Sequence, residues 1–171
     1  DRERLFRGNW NIRFQSGNVF RREWFKVLNV VPRDVVRAVR YWDKAGSDES
    51  SRDGDYSVGT LILEQRSGRA CVADVVRRKL SPYERNKLIE QTAEIDAATY
   101  PGLALWIERE PGHNATESTH TLQKQLARFG PRFDQVVKSK LSRWLIFAAA
   151  AESGVVDVVN GPWLRDWLDE L

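Results

Sequence analysis

The chain has 171 residues, 42% of them hydrophobic and 30% charged, with a mean hydropathy of -0.52 and a formal net charge of +3. That balance excludes disordered and collagen-like chains, and the longest apolar run, Leu145 to Ala151, is far short of the roughly 20 residues a membrane helix needs. The charge is lopsided: residues 1–40 carry ten Arg/Lys against four acids, and residues 41–171 carry 17 against 20, which fits either a polyanion partner or a solvated, Arg-rich linker.

Residues 1–33 show no clean periodicity. Gly8, Gly17 and Pro32 interrupt them, and Trp10, Phe14, Phe20, Trp24 and Phe25 are scattered between. This reads as an extended tail that sets aromatics on a body, so the chain divides into a tail or linker (1–33) and a domain (34–171). Val35 to Trp42 is rich in β-formers, and Asp43 follows at once, predicting a strand that ends in a carboxylate. Residues 44–55 are a polar loop. Tyr56 to Gln65, a Ser67-Gly68 turn and Ala70 to Arg77 predict a β-hairpin. Ser81-Pro82-Tyr83-Glu84 reads as a capping box with Pro at the first helical position. The helix it opens runs to about Ala97, with Leu88, Ile89, Thr92 and Ile95 as the apolar stripe.

Leu103 to Ile107 predicts a buried strand, and Glu117 to Phe129 a second helix with Leu122, Leu126 and Phe129 inward. Arg132 to Val137 is a short strand. Lys140 to Ser153 is a third helix stopped by Gly154. Val155 to Val159 is a last strand, and Gly161-Pro162-Trp163 opens a terminal helix. A hairpin followed by alternating helices and strands predicts an α/β fold, with an antiparallel start extended by parallel crossovers and flanked by helices, the order of the ribonuclease H-like fold.

Candidate chemistry lies at two strand ends. Asp43 closes the first strand, and Glu108 and Glu110 follow the strand after the first long helix. Glu108 and Glu110 are two apart, so in extended chain they share a face. If the two strands are neighbours the carboxylates converge, and they then repel unless a divalent cation neutralises them. Hard oxygen ligands suit Mg²⁺ or Mn²⁺, and two such ions about 3.5–4 Å apart can clamp the oxygens of a phosphodiester displacement. The same spacing also fits merely solvated strand ends. Asp55, at the mouth of the hairpin, is a further candidate acid. Lys138, Lys140 and Arg143 begin the third helix, with Lys124, Arg128 and Arg132 upstream, and such a helix start can hold a phosphate or be an ordinary basic helix end. His113 and His120 read as surface residues. No phosphate loop of the Gly-x-x-x-x-Gly-Lys type is present, and the single Cys71 excludes an internal disulfide and fits a reducing cytoplasm. The chain contains no Met and begins at Asp1 without a visible signal peptide, so it reads as a piece of a longer protein.

The motifs, in order, resemble the nuclease domain of the large terminase subunit of tailed bacteriophages. They are Arg40-Tyr41-Trp42-Asp43-Lys44-Ala45-Gly46-Ser47, Gly54-Asp55-Tyr56-Ser57-Val58-Gly59, Arg78-Lys79-Leu80-Ser81-Pro82, Ile107-Glu108-Arg109-Glu110-Pro111-Gly112, Lys140-Leu141-Ser142-Arg143 and Gly161-Pro162-Trp163. Gln15 to Phe20 with Trp24-Phe25 is similar to the segment leaving that family's ATPase domain. The resemblance implies an RNase H-like, metal-dependent endonuclease that cuts concatemeric viral DNA at packaging initiation and termination, in the host cytoplasm. It implies Asp43 as first acid, Glu108 or Glu110 as second, and Lys140 and Arg143 facing the DNA backbone. Its implied partners are double-stranded DNA, the ATPase domain, the portal and the small terminase, and no membrane. The family's third acid lies in an Asp-Asp pair just beyond the position of Leu171, so low activity is expected of this stretch alone. Two alternatives remain: a non-cleaving DNA- or portal-docking module of the same fold, and a junction-resolving nuclease of the same fold class.

Overall fold

A computed structural model of the chain describes residues 19–44, 56–109, 114–135 and 140–171, with side chains from 119 onward in the third of these segments and from 141 onward in the last. Seven strands form one mixed sheet: β1 (Lys26–Leu28), β2 (Val35–Asp43), β3 (Ser57–Gln65), β4 (Ala70–Arg78), β5 (Ala104–Glu108), β6 (Arg132–Asp134) and β7 (Val156–Val159). Four helices flank it: α1 (Pro82–Thr99), α2 (Asn114–Gln125), α3 (Lys140–Glu152) and α4 (Leu164–Glu170). The strand order is β1-β7-β4-β3-β2-β5-β6. Only β3 is antiparallel to its neighbours; every other pairing is parallel. Six strands therefore run one way, and their C-terminal ends line a single edge of the sheet.

Local sequence explains the elements. Ser81 caps α1: its hydroxyl accepts from the Glu84 amide at 3.3 Å, and its own amide donates to Glu84 Oε2 at 3.2 Å. Gly68, at φ 81°, makes the hairpin turn, and Gly154, at φ 74°, ends α3. Among the described residues, every predicted strand and helix of residues 34–171 is represented, with ends that differ by a few residues where they can be compared; the predicted end of the Arg132 to Val137 strand and most of the predicted loop 44–55 lie outside the described residues. The second helix ends early, at Gln125, and a 3-10 turn (Ala127–Phe129) completes the segment.

Alternation on β2 sorts the core. Trp42, Arg40 and Ala38 point to the face covered by α1 and α2, where Trp42, Leu105, Ile107, Ile89, Ala93, Leu122 and Leu126 form one fully buried cluster. The opposite face carries α3 and α4, whose Ala148, Ala151 and Leu164 meet Val72, Val75, Val156 and Val158. Phe20 and Phe25 belong to this second core, and β1 adds a parallel strand to β7, with Val27 opposite Val158. Residues 19–28 are thus integrated into the sheet, a contribution their short, aperiodic sequence does not announce.

The α1 stripe differs from the sequence pattern. Ile95 is 68% exposed, whereas Arg85 and Asp96 are buried with Ile89, Thr92 and Ala93. The reason is electrostatic: Arg40, 2% exposed on β2, donates to both Asp96 carboxylate oxygens at 2.7 and 3.0 Å, to Asp74 at 2.9 Å and to the Gly59 carbonyl at 3.0 Å. A buried guanidinium needs such partners, and they rotate α1 so that Asp96 faces inward. Among the described residues, no helix is long and apolar enough to cross a membrane.

Candidate active site

The edge formed by the C-termini of β2, β5 and β6 collects carboxylates. Trp42 pairs with Ile107 across β2 and β5, so Asp43 and Glu108 are the next residues on adjacent parallel strands. Glu108 in turn pairs with Asp134 of β6. Opposed residues share a face, and two-residue alternation places Asp43, Glu108 and Asp134 on the side of Tyr41, away from the buried Trp42 and Ile107. Three neighbouring strands thus each end in an acid on one face. The sequence alone singles out the first two. It marks β6 as a strand but gives Asp134 no role, because only the strand order brings that residue beside Glu108.

One phenol ties two of the acids. Tyr41 Oη lies 3.1 Å from Asp134 Oδ2 and 3.4 Å from Glu108 Oε2. A hydroxyl has one proton to donate, so two carboxylates compete for it. Burial, then the charges of Glu108 and Asp134, push the Tyr41 pKa up, with Arg143 opposing them. The phenol accordingly stays protonated and acts as a donor at any physiological pH. Arg143 of α3 reaches the same site: Nη1 is 3.4 Å from Glu108 Oε2, while its buried Nε finds no hydrogen-bond partner among the described residues. Arg132 adds a second cation on this face, its guanidinium 5.4 Å from the centroid of Trp106.

The family model for the terminase RNase H-like domain matches residues 40–171. The chain belongs to this family. Its fold is the RNase H-like fold of terminase nucleases: it superposes on the large terminase nuclease of the thermophilic phage G20c with bound zinc at a TM-score of 0.52 and 16% identity, covering 87% of this chain and 84% of that one. The same nuclease with bound cobalt gives 0.51 and 18%, over 85% and 75% of the two chains. The large terminase of a second thermophilic bacteriophage, in complex with ADP, gives 0.59 and 11%, over 88% of this chain and 35% of that one. This chain therefore spans about a third of that longer protein. No curated protein matches the sequence.

Within this terminase RNase H-like chain, the carboxylates fit a hard divalent cation by donor chemistry: adjacent acids share too few donors, and oxygen is their only ligand atom. Among the described residues, no group of three His, Cys, Asp or Glu side chains stands close enough to hold an ion. Asp55, Glu110, Lys138 and His113 lie outside the described residues, and Lys140 opens α3 with its side chain outside them. Lys44, directly after Asp43, is buried.

The basic cluster expected around α3 divides. Arg143 faces the acids. Arg128 instead pairs with Glu90 at 3.3 Å and with Glu94, clamping the segment after α2 to α1. A guanidinium held between two acids of α1 is neutralised locally and is no part of a phosphate cradle. His120 is exposed on α2, as expected of a surface residue. Asp169 of α4 forms an ion pair with Arg22, which fastens the first described turn to the last helix.

Proposed function

We propose that this chain is the metal-dependent nuclease domain of a phage DNA-packaging terminase, cutting concatemeric viral DNA when capsid filling starts and stops. The observation that carries the reading is the convergence of acids at one sheet edge: Asp43 beside Glu108 by register, and Glu108 with Asp134 on the Tyr41 hydroxyl. Family membership supports it.

Asp43 and Glu108 hold Mg²⁺ or Mn²⁺ in this reading, with Glu110 assisting, Asp55 in an outer position, and Asp134 supplying the further carboxylate on β6. Divalent cations bound there supply the Lewis acidity for phosphodiester hydrolysis. Tyr41 orients Glu108 and Asp134 through its single proton. Arg143 holds Glu108 in the ground state and offers its remaining donors to a phosphate. Lys138 and Lys140, at the start of α3, contact the DNA backbone, which positions the duplex without reading its bases. The 1–33 segment connects to an ATPase domain in the full-length protein, which meets the portal and small terminase in the host cytoplasm.

A supercoiled-plasmid assay with Mn²⁺ or Mg²⁺ tests the reading, on this chain and on one extended past Leu171. Nicking is expected in the extended chain and is lost in Asp43→Ala. Equal activity in Asp43→Ala overturns the assignment. Salt-sensitive binding without cleavage in the extended chain points to a docking module, and preference for branched DNA to a junction-resolving enzyme.

A further inference from the structure

We propose that Arg77, Arg78 and Lys79, at the C-terminal end of β4, form a second contact for the DNA backbone on the side of the acids opposite β6. The inference rests on the nuclease reading for its ligand, double-stranded DNA, and on the sheet register for its position.

Asp43 of β2 pairs with Val58 of β3, and Val58 pairs with Arg77 of β4. These three residues form one row across the sheet and share a face. Two strand spacings separate Asp43 from Arg77, about 10 Å, or roughly three nucleotide rises along a DNA strand. β2 and β4 run the same way, so the acids and the β4 cations occupy the same edge. Arg132 lies on the β6 side of the acids, and Arg143 reaches Glu108 from α3. With the β4 cations on the other side, the carboxylates sit between two positive borders, and a phosphate chain crossing them meets a cation before and after the cleavage point.

The β4 cations are held in place. The Arg77 guanidinium lies 3.3 Å over the centroid of Tyr56, and Lys79 Nζ is 4.8 Å from the same ring. Arg77 also forms an ion pair with Glu170 of α4. Arg78 donates to the Arg77 carbonyl at 2.9 Å. Arg78 and Lys79 are exposed, so they can meet a ligand without unpacking the core. The Tyr56 ring lowers the side-chain entropy given up when a phosphate binds.

The test is duplex binding by the whole chain in EDTA, where no cleavage occurs, across a range of salt concentrations. The Arg78→Ala/Lys79→Ala variant is compared with Arg33→Ala/Arg66→Ala, which removes the same charge at the opposite sheet edge. The edge variant is expected to bind more weakly and to lower the slope of log K against log salt by about 0.9 for each phosphate interaction removed, while the control keeps the wild-type slope. Lys79→Gln alone should give half the change. Equal slopes in wild type and edge variant, equal losses in both double variants, or no DNA binding by the wild type each overturn the proposal. Because cleavage plays no part in this measurement, binding as expected by this chain, with no cutting by the chain extended past Leu171, removes the nuclease reading and leaves this DNA interaction standing.

Discussion

Glu108 and Asp134 face each other across β5 and β6 and share one hydrogen-bond donor, the hydroxyl of Tyr41. Two like charges held this close repel, and the repulsion is the physical reason a cation is favoured between them. Asp134→Asn should therefore move stability and activity in opposite directions. Without metal the variant melts at the wild-type temperature or above it, because a repulsion is relieved. Cleavage by the extended chain falls about 10- to 100-fold, the usual penalty for disturbing groups that orient a metal site. Tyr41→Phe should lower cleavage by a similar factor. Melting curves and plasmid nicking, read together, separate this from simple misfolding, which would lower both.

Arg40 is the other polar centre of the fold, and its loss should be costly. It is 2% exposed, and its partner Asp96 is 4% exposed. Removing one member of a buried pair strands the other charge, at a cost of about 3–5 kcal/mol. Arg40→Met is expected to lose that much in urea denaturation, and Arg40→Met/Asp96→Leu to recover most of it. Recovery in the double variant would identify the stranded charge, rather than poorer packing, as the source.

Gly59 explains how Trp42 fits. A Cβ at this position would lie 2.6 Å from the Trp42 ring. Trp42 is fully buried and directly precedes Asp43, so the ring cannot give way without moving the strand end. Gly59→Ala should destabilise by about 1–3 kcal/mol, the range for overpacking a filled core. It should also reduce cleavage more than the stability loss explains, because β2 carries Asp43, the first acid of the proposed site. Denaturant midpoints and nicking rates on the same samples give both quantities.

The sequence exposes this architecture unevenly, for physical reasons. Asp43 is legible because a β-rich run breaks directly onto a carboxylate, and Glu108 because it follows a short apolar strand. The capping box at Ser81 and the glycine stops are local, so they too can be read from the chain. Asp134 cannot: β6 is three residues long, and its acid matters only because β6 lies next to β5 in space. β1 is hidden for the same reason, as its partner β7 is more than a hundred residues away in the chain. The inward face of α1 departs from the pattern at Ile95 because apolar periodicity assumes that charges point outward, and the buried Arg40 reverses that assumption for Asp96.

The pair at the far edge of the sheet carries a pH prediction. Asp157 of β7 is buried, accepts hydrogen bonds from Arg69 and, at 3.0 Å, from Gln65, and is held below the ordinary Asp value of 3.8, first by the Arg69 hydrogen bond. A carboxylate with a lowered folded pKa stabilises the fold fully above its unfolded pKa and loses that contribution as the pH falls through the folded value. Arg69→Ala removes the largest cause of the lowering and leaves the buried carboxylate of Asp157 with only the Gln65 hydrogen bond and the Lys26 charge to offset its burial. The stability gap between wild type and Arg69→Ala should therefore be widest at about pH 6, begin to close below about pH 4, and be smallest near pH 2. Urea midpoints taken across this range measure the gap directly. A gap that stays constant down to the lowest pH would mean that Arg69 acts by packing its stem rather than by its charge.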